Sequence, residues 1–436
     1  MILRLVKRIL PTSLKQKIKQ KLINLFFPIT IRIARFNHKK ALKRIREKEK
    51  IKVVFLLINE ANWKYEGVYE LMKKDDRFDP VVVVCPYTSY GEDAMLRELN
   101  QAYQAFKGKG YNVIKSLNET SGEWLDVKKE LKPDLVCFTN AWSGLTRKEY
   151  TINNFLDTLT CYVPYGFENT HLYQAYFNQA TQNFVWKFFL ETTIHQNLAR
   201  KYARNKGVNT LVTGYPGMDS LLDRNYKPSD PWKIKDRRMK RIIWAPHHTI
   251  PGHGAALDYS TFLDYYEFFF ELAERLSGKV QFVFKPHPIL RHKLSKEDIW
   301  GKDRTDAYYN KWNELVNGQL VEGNYIDLFL TSDGMIHDSG SFVFEYLYTR
   351  KPVMFLLRDE KISERFNEVG KQALRELYHG KNSDDIFYFI KEVILNSNDI
   401  MKKNRVSFFN DVIKPPNKLT ASENIYNILV KELVKE

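Results

Sequence analysis

From residue 51 onward the chain alternates short apolar runs with longer polar segments compatible with helices. Residues 52–58, 81–85, 111–114, 134–138 and 161–163 are such runs, and 186–191 and 211–213 continue the series. They are predominantly apolar, with little alternation, as strands buried on both faces are. The scheme restarts at residues 241–245, followed by a helix over 261–276 rich in Phe and Tyr, then by strands at 280–284, 334–336 and 353–357. Two such series predict an α/β protein with two parallel sheets, each carrying helices on both faces. Residues 223–240 are charged, contain proline and show weak periodicity, so they read as a linker. The expected divisions are an arm over 1–50, an N-terminal domain over 51–222, the linker 223–240, a C-terminal domain over 241–400 and closing helices over 401–436.

The first fifty residues follow another pattern. Ile2, Leu3, Val6, Ile9 and Leu10 recur at helical spacing opposite Arg4, Lys7 and Arg8, and Leu14, Ile18 and Leu22 do so among lysines. That is the pattern of a basic amphipathic helix lying on anionic lipid. The longest apolar stretch, 22–31, contains Asn24, Pro28 and Thr30 and then meets Arg32, so it is too short and too interrupted to span a bilayer. No small-residue cleavage site follows, as a signal peptide would need. A helix that caps the body and turns a solvated basic face outward is the other use of this pattern. Sixteen Lys and Arg against Glu47 and Glu49 place +14 of the formal +16 in this arm, and that concentration favours the membrane surface.

Composition adds two exclusions. Hydrophobic residues at 44% and charged residues at 28% of 436 suit two globular domains. Outside the arm these are nearly neutral, which argues against a nucleic-acid groove. The three cysteines, Cys85, Cys137 and Cys161, sit in apolar strand contexts without Cys-x-x-Cys or Cys/His spacing. They read as buried thiols in a reducing compartment, with no structural zinc expected.

In parallel α/β folds ligands lie beyond the carboxyl ends of the strands. In the first half this points to Asn59-Glu60, Pro86-Tyr87, residues 140–143 and residues 164–170. In the second half the strand ends are Pro246-His247-His248-Thr249, Lys285-Pro286-His287-Pro288 and His337-Asp338-Ser339-Gly340-Ser341, and six of the ten histidines fall between His247 and His337. Histidines and a lysine directly after converging strands make a hydrogen-bonding cup for phosphate. The amides of residues 339–342, at the start of a helix capped by serine, are expected to add to it, with Gly340 allowing close approach of a ligand to the backbone. A well-capped structural αβ unit would carry the same residues at the last of these turns.

The ordered set IIWAPHHTI, KPHP and SDGMIHDSGSFVFEYLYTRKPVMF, preceded by GYPGMDSLL, resembles the CDP-glycerol glycerophosphotransferase family, enzymes that prime and polymerise teichoic acids and related capsule polymers. The resemblance covers roughly residues 130–360, and the set is far more specific than any one of its members. It implies two facing Rossmann-like domains of the GT-B type, the nucleotide held by the C-terminal domain, and neither metal ion nor cofactor. The family's C-terminal pattern maps onto Asp338, Ser341 and Glu345. On this reading His247, His287 and Lys285 supply donors or charge to the pyrophosphate, the amides and hydroxyls of Ser339 to Ser341 hold the leaving phosphate, His337 and Asp338 belong to the same nucleotide-binding turn, and Glu345 takes the ribose diol.

The resemblance departs at one point. Where the family commonly has Trp-His-Gly, with the histidine as proposed base, this chain reads Pro164-Tyr165-Gly166. A phenol is a poor base near neutral pH, so either Glu168 or His171 takes the role, with Glu168 preferred for the apolar shielding of Tyr165 and Phe167, or the chemistry differs. The expected function is transfer of a glycerol-phosphate or related polyol-phosphate group from a CDP-activated donor to a hydroxyl of a lipid-linked or polymeric acceptor, at the cytoplasmic face of the cell membrane. A GT-B glycosyltransferase using a nucleotide sugar, and a membrane-bound scaffold without turnover, are the alternatives.

Overall fold

Side chains alternate across a strand, so Val53, Phe55 and Leu57 of the first strand (β1, Ile51–Leu57) point to one face of their sheet and Val54 and Leu56 to the other. All five are buried, which is why the run is apolar throughout. The computed structural model describes residues 12–253 and 257–435, with side chains from Leu25 onward. β1 is followed by β2 (Phe78–Val84), β3 (Val113–Lys115), β4 (Leu135–Phe138), β5 (Leu159–Tyr162), β6 (Lys187–Leu190) and β7 (Thr210–Val212). They form a seven-stranded parallel sheet in the order β3-β2-β1-β4-β5-β6-β7. A second parallel sheet, β10-β9-β8-β11-β12-β13, uses β8 (Lys240–Ala245), β9 (Val280–Phe284), β10 (Gly318–Leu320), β11 (Gly334–His337), β12 (Val353–Leu356) and β13 (Tyr378–Gly380). Both orders are of the Rossmann kind, and the direction of winding reverses between β1 and β4 in one sheet and between β8 and β11 in the other.

The chain divides into two units. The first holds the chain up to Tyr165, Tyr173–Pro216 and the segment from Ala421 onward; the second holds Gly166–Leu172 and Gly217–Thr420. These limits differ from the expected ones in three places. Residues 166–172, expected in the N-terminal domain, belong to the second unit. The last helix, Ala421–Leu433, returns to the first, where Ile425, Leu429 and Leu433 join the core beside β1 and the helix Glu66–Lys73. Residues 223–240 are packed rather than loose: Trp232 is buried with its Nε1 donating to Thr331 Oγ1 at 2.8 Å, and Asp230 pairs with the buried Arg241 at 3.0 Å.

The arm is one continuous helix over Thr12–Ile45 that runs through Pro28. Ile31, Ala34, His38, Ala41 and Ile45 are buried against the first unit, and Phe27 meets Phe184 at 4.6 Å between ring centroids. Leu25, Phe26, Ile29, Ile33 and Phe36 lie on the opposite side of the helix, exposed. The body-capping use of the arm and an outward apolar strip therefore coexist. Ile2 to Leu10, and the side chains of Leu14, Ile18 and Leu22, lie outside the described residues. Among those described, no helix is long and apolar enough to cross a membrane.

Candidate active site

The winding reversal of the second sheet falls between β8 and β11, with β9 on the far side of β8. Neighbouring parallel strands lie about 4.8 Å apart, so the turns that follow them are brought together. The register sets Ala245 beside His337 and Trp244 beside Phe284, which places His247, His248, Lys285 and His287 at one edge. The ring centroids of His248 lie 4.2 Å from His247 and 4.3 Å from His287.

One local geometry occurs three times. The Nδ1 of His287 accepts from the amide of Ile289 at 3.2 Å, and that of His337 from the amide of Ser339 at 3.2 Å. The Nδ1 of His247 faces the amide of Thr249 at 3.4 Å and its Oγ1 at 3.2 Å. Thr249 Oγ1 already accepts from the amides of Tyr259 and Ser260, so its proton is free to point at the ring. Each histidine thus bonds the residue two places on. A ring nitrogen that accepts carries no proton, so the neutral ring carries it on Nε2. His248 is set the same way, its Nδ1 facing the Lys293 ammonium at 3.1 Å.

Burial and the neighbouring cations keep these rings neutral. Burial, with His248, His287 and Lys293 nearby, holds His247 well below the ordinary histidine value. His287 is lowered to about 3 and His248 to about 4, by burial first and then by adjacent positive groups. Ring nitrogens of His247, His248 and His287 lie within 4.8 Å of one another, close enough to share an ion. With Nδ1 engaged as acceptor and Nε2 protonated, beside a lysine, the cluster presents N–H donors and suits an anion better than a cation.

Asp338 ties the edge together. It is fully buried, and its Oδ1 accepts from the amide of His247 at 2.5 Å while Oδ2 accepts from the amide and hydroxyl of Thr261 at 2.5 and 2.8 Å. Burial pushes its carboxyl up to about 6 against these donors. His337 is likewise fully buried, packed on Phe342 and Phe355, with Nε2 meeting no acceptor. Both residues were expected to contact the ligand. Their burial makes them positioning groups, because neither presents a polar atom at the surface.

Burial lowers Lys285 to about 8, with Glu322 and Glu345 opposing the shift. Its ammonium lies 5.8 Å from the Tyr325 ring centroid, and the Tyr325 hydroxyl donates to Glu345 Oε2 at 2.8 Å. Glu345 is buried beneath this tyrosine. The helix expected after Ser341 is a single α turn, Phe342–Glu345, that tightens over Tyr346–Thr349, and Ser341 makes no side-chain cap. The amides near Ser339 to Ser341 remain, but a helix this short contributes little dipole. The hydroxyls of Ser339 and Ser341 lie 3.4 Å apart.

Residues 166–172 reach the same turn. Asn169 Nδ2 donates to the carbonyl of Gly340, and Phe167 stacks on Phe344 at 4.0 Å. Asn367 fixes the segment, its Nδ2 donating to the Glu168 carbonyl at 2.6 Å and its amide to the Asn169 carbonyl at 2.9 Å. Glu168 is buried, whereas His171 is exposed. The Nδ1 of His171 lies 2.9 Å from the carbonyl oxygen of Arg365. A carbonyl only accepts, so Nδ1 holds the proton and Nε2 keeps its lone pair. The hydrogen bond of His171 leaves its Nε2 as an acceptor.

Sequence reasoning named Thr249 and Asn169 only as members of strand-end stretches, and it missed the supporting residues Tyr259, Thr261, Lys293 and Asn367. A signal existed for Thr249, which stands two places after a strand-end histidine as Ile289 and Ser339 do. For Thr261, Lys293 and Asn367 the partners are 45 to 199 residues away, and nothing local announces them.

The family model described as CDP-Glycerol:Poly(glycerophosphate) glycerophosphotransferase matches residues 170–431, more than half of the chain. It begins later and reaches further than the motif set in the sequence. Teichoic acid ribitol-phosphate polymerase TarL of Staphylococcus aureus (strain NCTC 8325 / PS 47) is 28% identical over an alignment of 171 residues that covers 36% of this chain. The match spans only 27% of that relative's length. Among solved structures, the wall teichoic acid polymerase TagF superposes with a TM-score of 0.56 at 14% identity, over 97% of this chain and 98% of that one. UDP-GlcNAc 2-epimerase from Neisseria meningitidis, bound to UDP-GlcNAc, gives 0.53 at 16% identity, over 88% and 99%. At such identities the structures show the fold, two Rossmann-like domains of the GT-B type. The family match rests on sequence, and it includes His247, His248, His287 and His337 and the turn that Asp338 anchors: the chain belongs to the CDP-glycerol:poly(glycerophosphate) glycerophosphotransferase family.

Proposed function

We propose that the protein transfers a glycerol-phosphate or related polyol-phosphate group from a CDP-activated donor to a hydroxyl of a lipid-linked or polymeric acceptor in teichoic-acid or capsule-type synthesis. The observation that carries this reading is the cluster of strand-end histidines fixed as Nε2–H donors beside Lys285, in a chain of this family. Such a set suits a pyrophosphate, which offers oxygens in several directions and needs neutral donors as much as charge. The acceptor oxygen attacks the β-phosphorus, the bond from that phosphorus to the bridging oxygen breaks, and CMP leaves with the bonding pair. The acceptor's proton passes to a base. His171 Nε2 suits this role, held by Nδ1 on a carbonyl as orienting groups hold catalytic histidines. His247, His287 and Lys285 receive the charge that moves onto the leaving phosphate, with the amides and hydroxyls near Ser339 and Ser341 beside them. Glu345, whose Oε2 accepts from the Tyr325 hydroxyl at 2.8 Å, is assigned to the ribose.

The same reading places the protein on the inner face of the cell membrane. It is supported by the exposed strip from Leu25 to Phe36, flanked by Arg32, Arg35, Lys39, Lys40 and Lys43. Calorimetric titration with CDP-glycerol, CDP-ribitol and a UDP-sugar tests donor recognition. Saturable binding of a CDP-polyol that His287→Ala weakens at least ~tenfold is expected. Preference for the UDP-sugar would favour the glycosyltransferase alternative.

A further inference from the structure

The arm helix and the first sheet enclose a cleft where β6 and β7 begin. It opens beside Arg35, His38, Lys39 and Leu42 and is closed by the residues that lead into β6 and β7, among them Trp186 and Asn209. Its volume is about 230 Å³, well above the roughly 10–15 Å³ that admits one water. No acidic side chain lines it.

The donors in this cleft are unevenly committed. Asn209 spends its amide hydrogens on the carbonyls of Gln182 and Val185, and its oxygen accepts from Asn205. Lys187 pairs with Glu432 at 2.7 Å. Among the described contacts Arg35 and Lys39 have no hydrogen-bond or ion-pair partner. His38 is 4% exposed, yet its Nε2 has no hydrogen-bond partner. A buried ring nitrogen left without a partner is costly and calls for one. Arg35, His38, Lys39 and Leu42 share one side of the helix at spacings of three, four and seven residues.

Helical geometry relates this side to the apolar strip. At 100° per residue, Leu25, Phe26, Ile29, Ile33 and Phe36 fall within about 100° of arc, opposite the buried side. Arg35 and Lys39 lie between that strip and the cleft. A ligand with hydrocarbon on one side and a phosphodiester on the other matches the order strip, cations, cleft. We propose that the cleft binds the phosphate headgroup of an anionic membrane lipid, with Arg35, Lys39 and His38 as its donors and the strip in the acyl layer. This rests on the membrane-surface reading above and adds a discrete site to it.

Titration of the full chain with short-chain phosphatidylglycerol, kept below its micellar concentration, tests the site through the His38 ring resonances. A saturable shift that Arg35→Gln/Lys39→Gln abolishes is expected; both side chains are exposed and unpaired, so the fold does not depend on them. Absence of a shift overturns the site, and an equal shift with equal affinity from inorganic phosphate overturns the lipid assignment. Sedimentation with phosphatidylglycerol vesicles separates this from general adsorption. Arg35→Gln/Lys39→Gln should weaken binding at least ~tenfold more than the charge-matched Arg32→Gln/Lys43→Gln, which loses only the screened attraction of two surface cations. Equal losses would overturn the site and leave the membrane reading standing; no sedimentation of the unaltered chain would overturn that reading itself.

Discussion

The Asp338 carboxylate accepts the backbone amide of His247 at 2.5 Å, across 91 residues of sequence. Its other oxygen takes the amide and hydroxyl of Thr261, so one side chain after β11 fixes both the turn after β8 and the start of the helix Phe262–Arg275. An asparagine in its place offers one acceptor and two donors, and turns an N–H toward N–H groups. Asp338→Asn is expected to lower unfolding stability by about 1–3 kcal/mol, as unsatisfied buried amides do. It should also weaken donor binding, although the residue lies beneath the donor surface. Urea melts and calorimetry measure the two effects; stability and affinity both unchanged would deny Asp338 its positioning role.

The pH dependence of donor affinity distinguishes lysine from histidine. Lys285, lowered to about 8, is charged below that value and loses its proton above it, so affinity for a CDP-polyol should fall as pH rises through 8. Lys285→Arg should move that limb out of range, because a guanidinium stays charged. His287 already sits near 3 and is neutral across this window. His287→Asn, which keeps an N–H donor and cannot titrate, should lower affinity without altering the shape of the profile. A profile that loses an inflection near neutral pH in this variant would show that the native ring binds as imidazolium.

Much of this site can be read in the sequence, for a physical reason. His247, Lys285, His287 and Asp338 each follow a mostly apolar, buried strand, and the end of such a strand is where a parallel sheet presents its ligands. What could not be read is which of them face outward. His337 and Asp338 stand among ligand-type residues, but their burial depends on Phe355, Phe342 and Thr261, which no local pattern connects to them. The fold shows the same division. Eleven strands are apolar runs and were expected; β10 (Gly-Gln-Leu) and β13 (Tyr-His-Gly) are edge strands of three residues without such a run. The return of Ala421–Leu433 to the first unit is a long-range choice that helical periodicity does not encode.

The segment read as a linker makes a stability prediction. Trp232 is 1% exposed and stacked near the Arg241 guanidinium at 5.4 Å, so Trp232→Ala should cost about 3–5 kcal/mol, as a large core truncation does. A free linker would lose well under 1 kcal/mol in the same urea melt.

For the base, His171→Asn keeps a side-chain donor for the Arg365 carbonyl and removes the acceptor nitrogen. It is expected to reduce kcat by about 10²–10⁴, the range for general-base removal, with donor affinity unchanged. Glu168→Gln should do much less to kcat, since Glu168 is buried and its backbone carbonyl, held by Asn367, fixes the segment. The reverse ranking would restore Glu168 as the base, and normal turnover in both would place it elsewhere.

The most direct test of the account is the nucleotide released when the full-length protein turns over CDP-glycerol or CDP-ribitol with a lipid-linked or polymeric hydroxyl acceptor. Attack at the β-phosphorus releases CMP and leaves the phosphate in the product. Stoichiometric CMP, with polyol and phosphate transferred together and the rate lowered at least ~tenfold by His287→Ala, is the predicted result. Release of CDP, or turnover of nucleotide sugars with CDP-polyols inert, would contradict it.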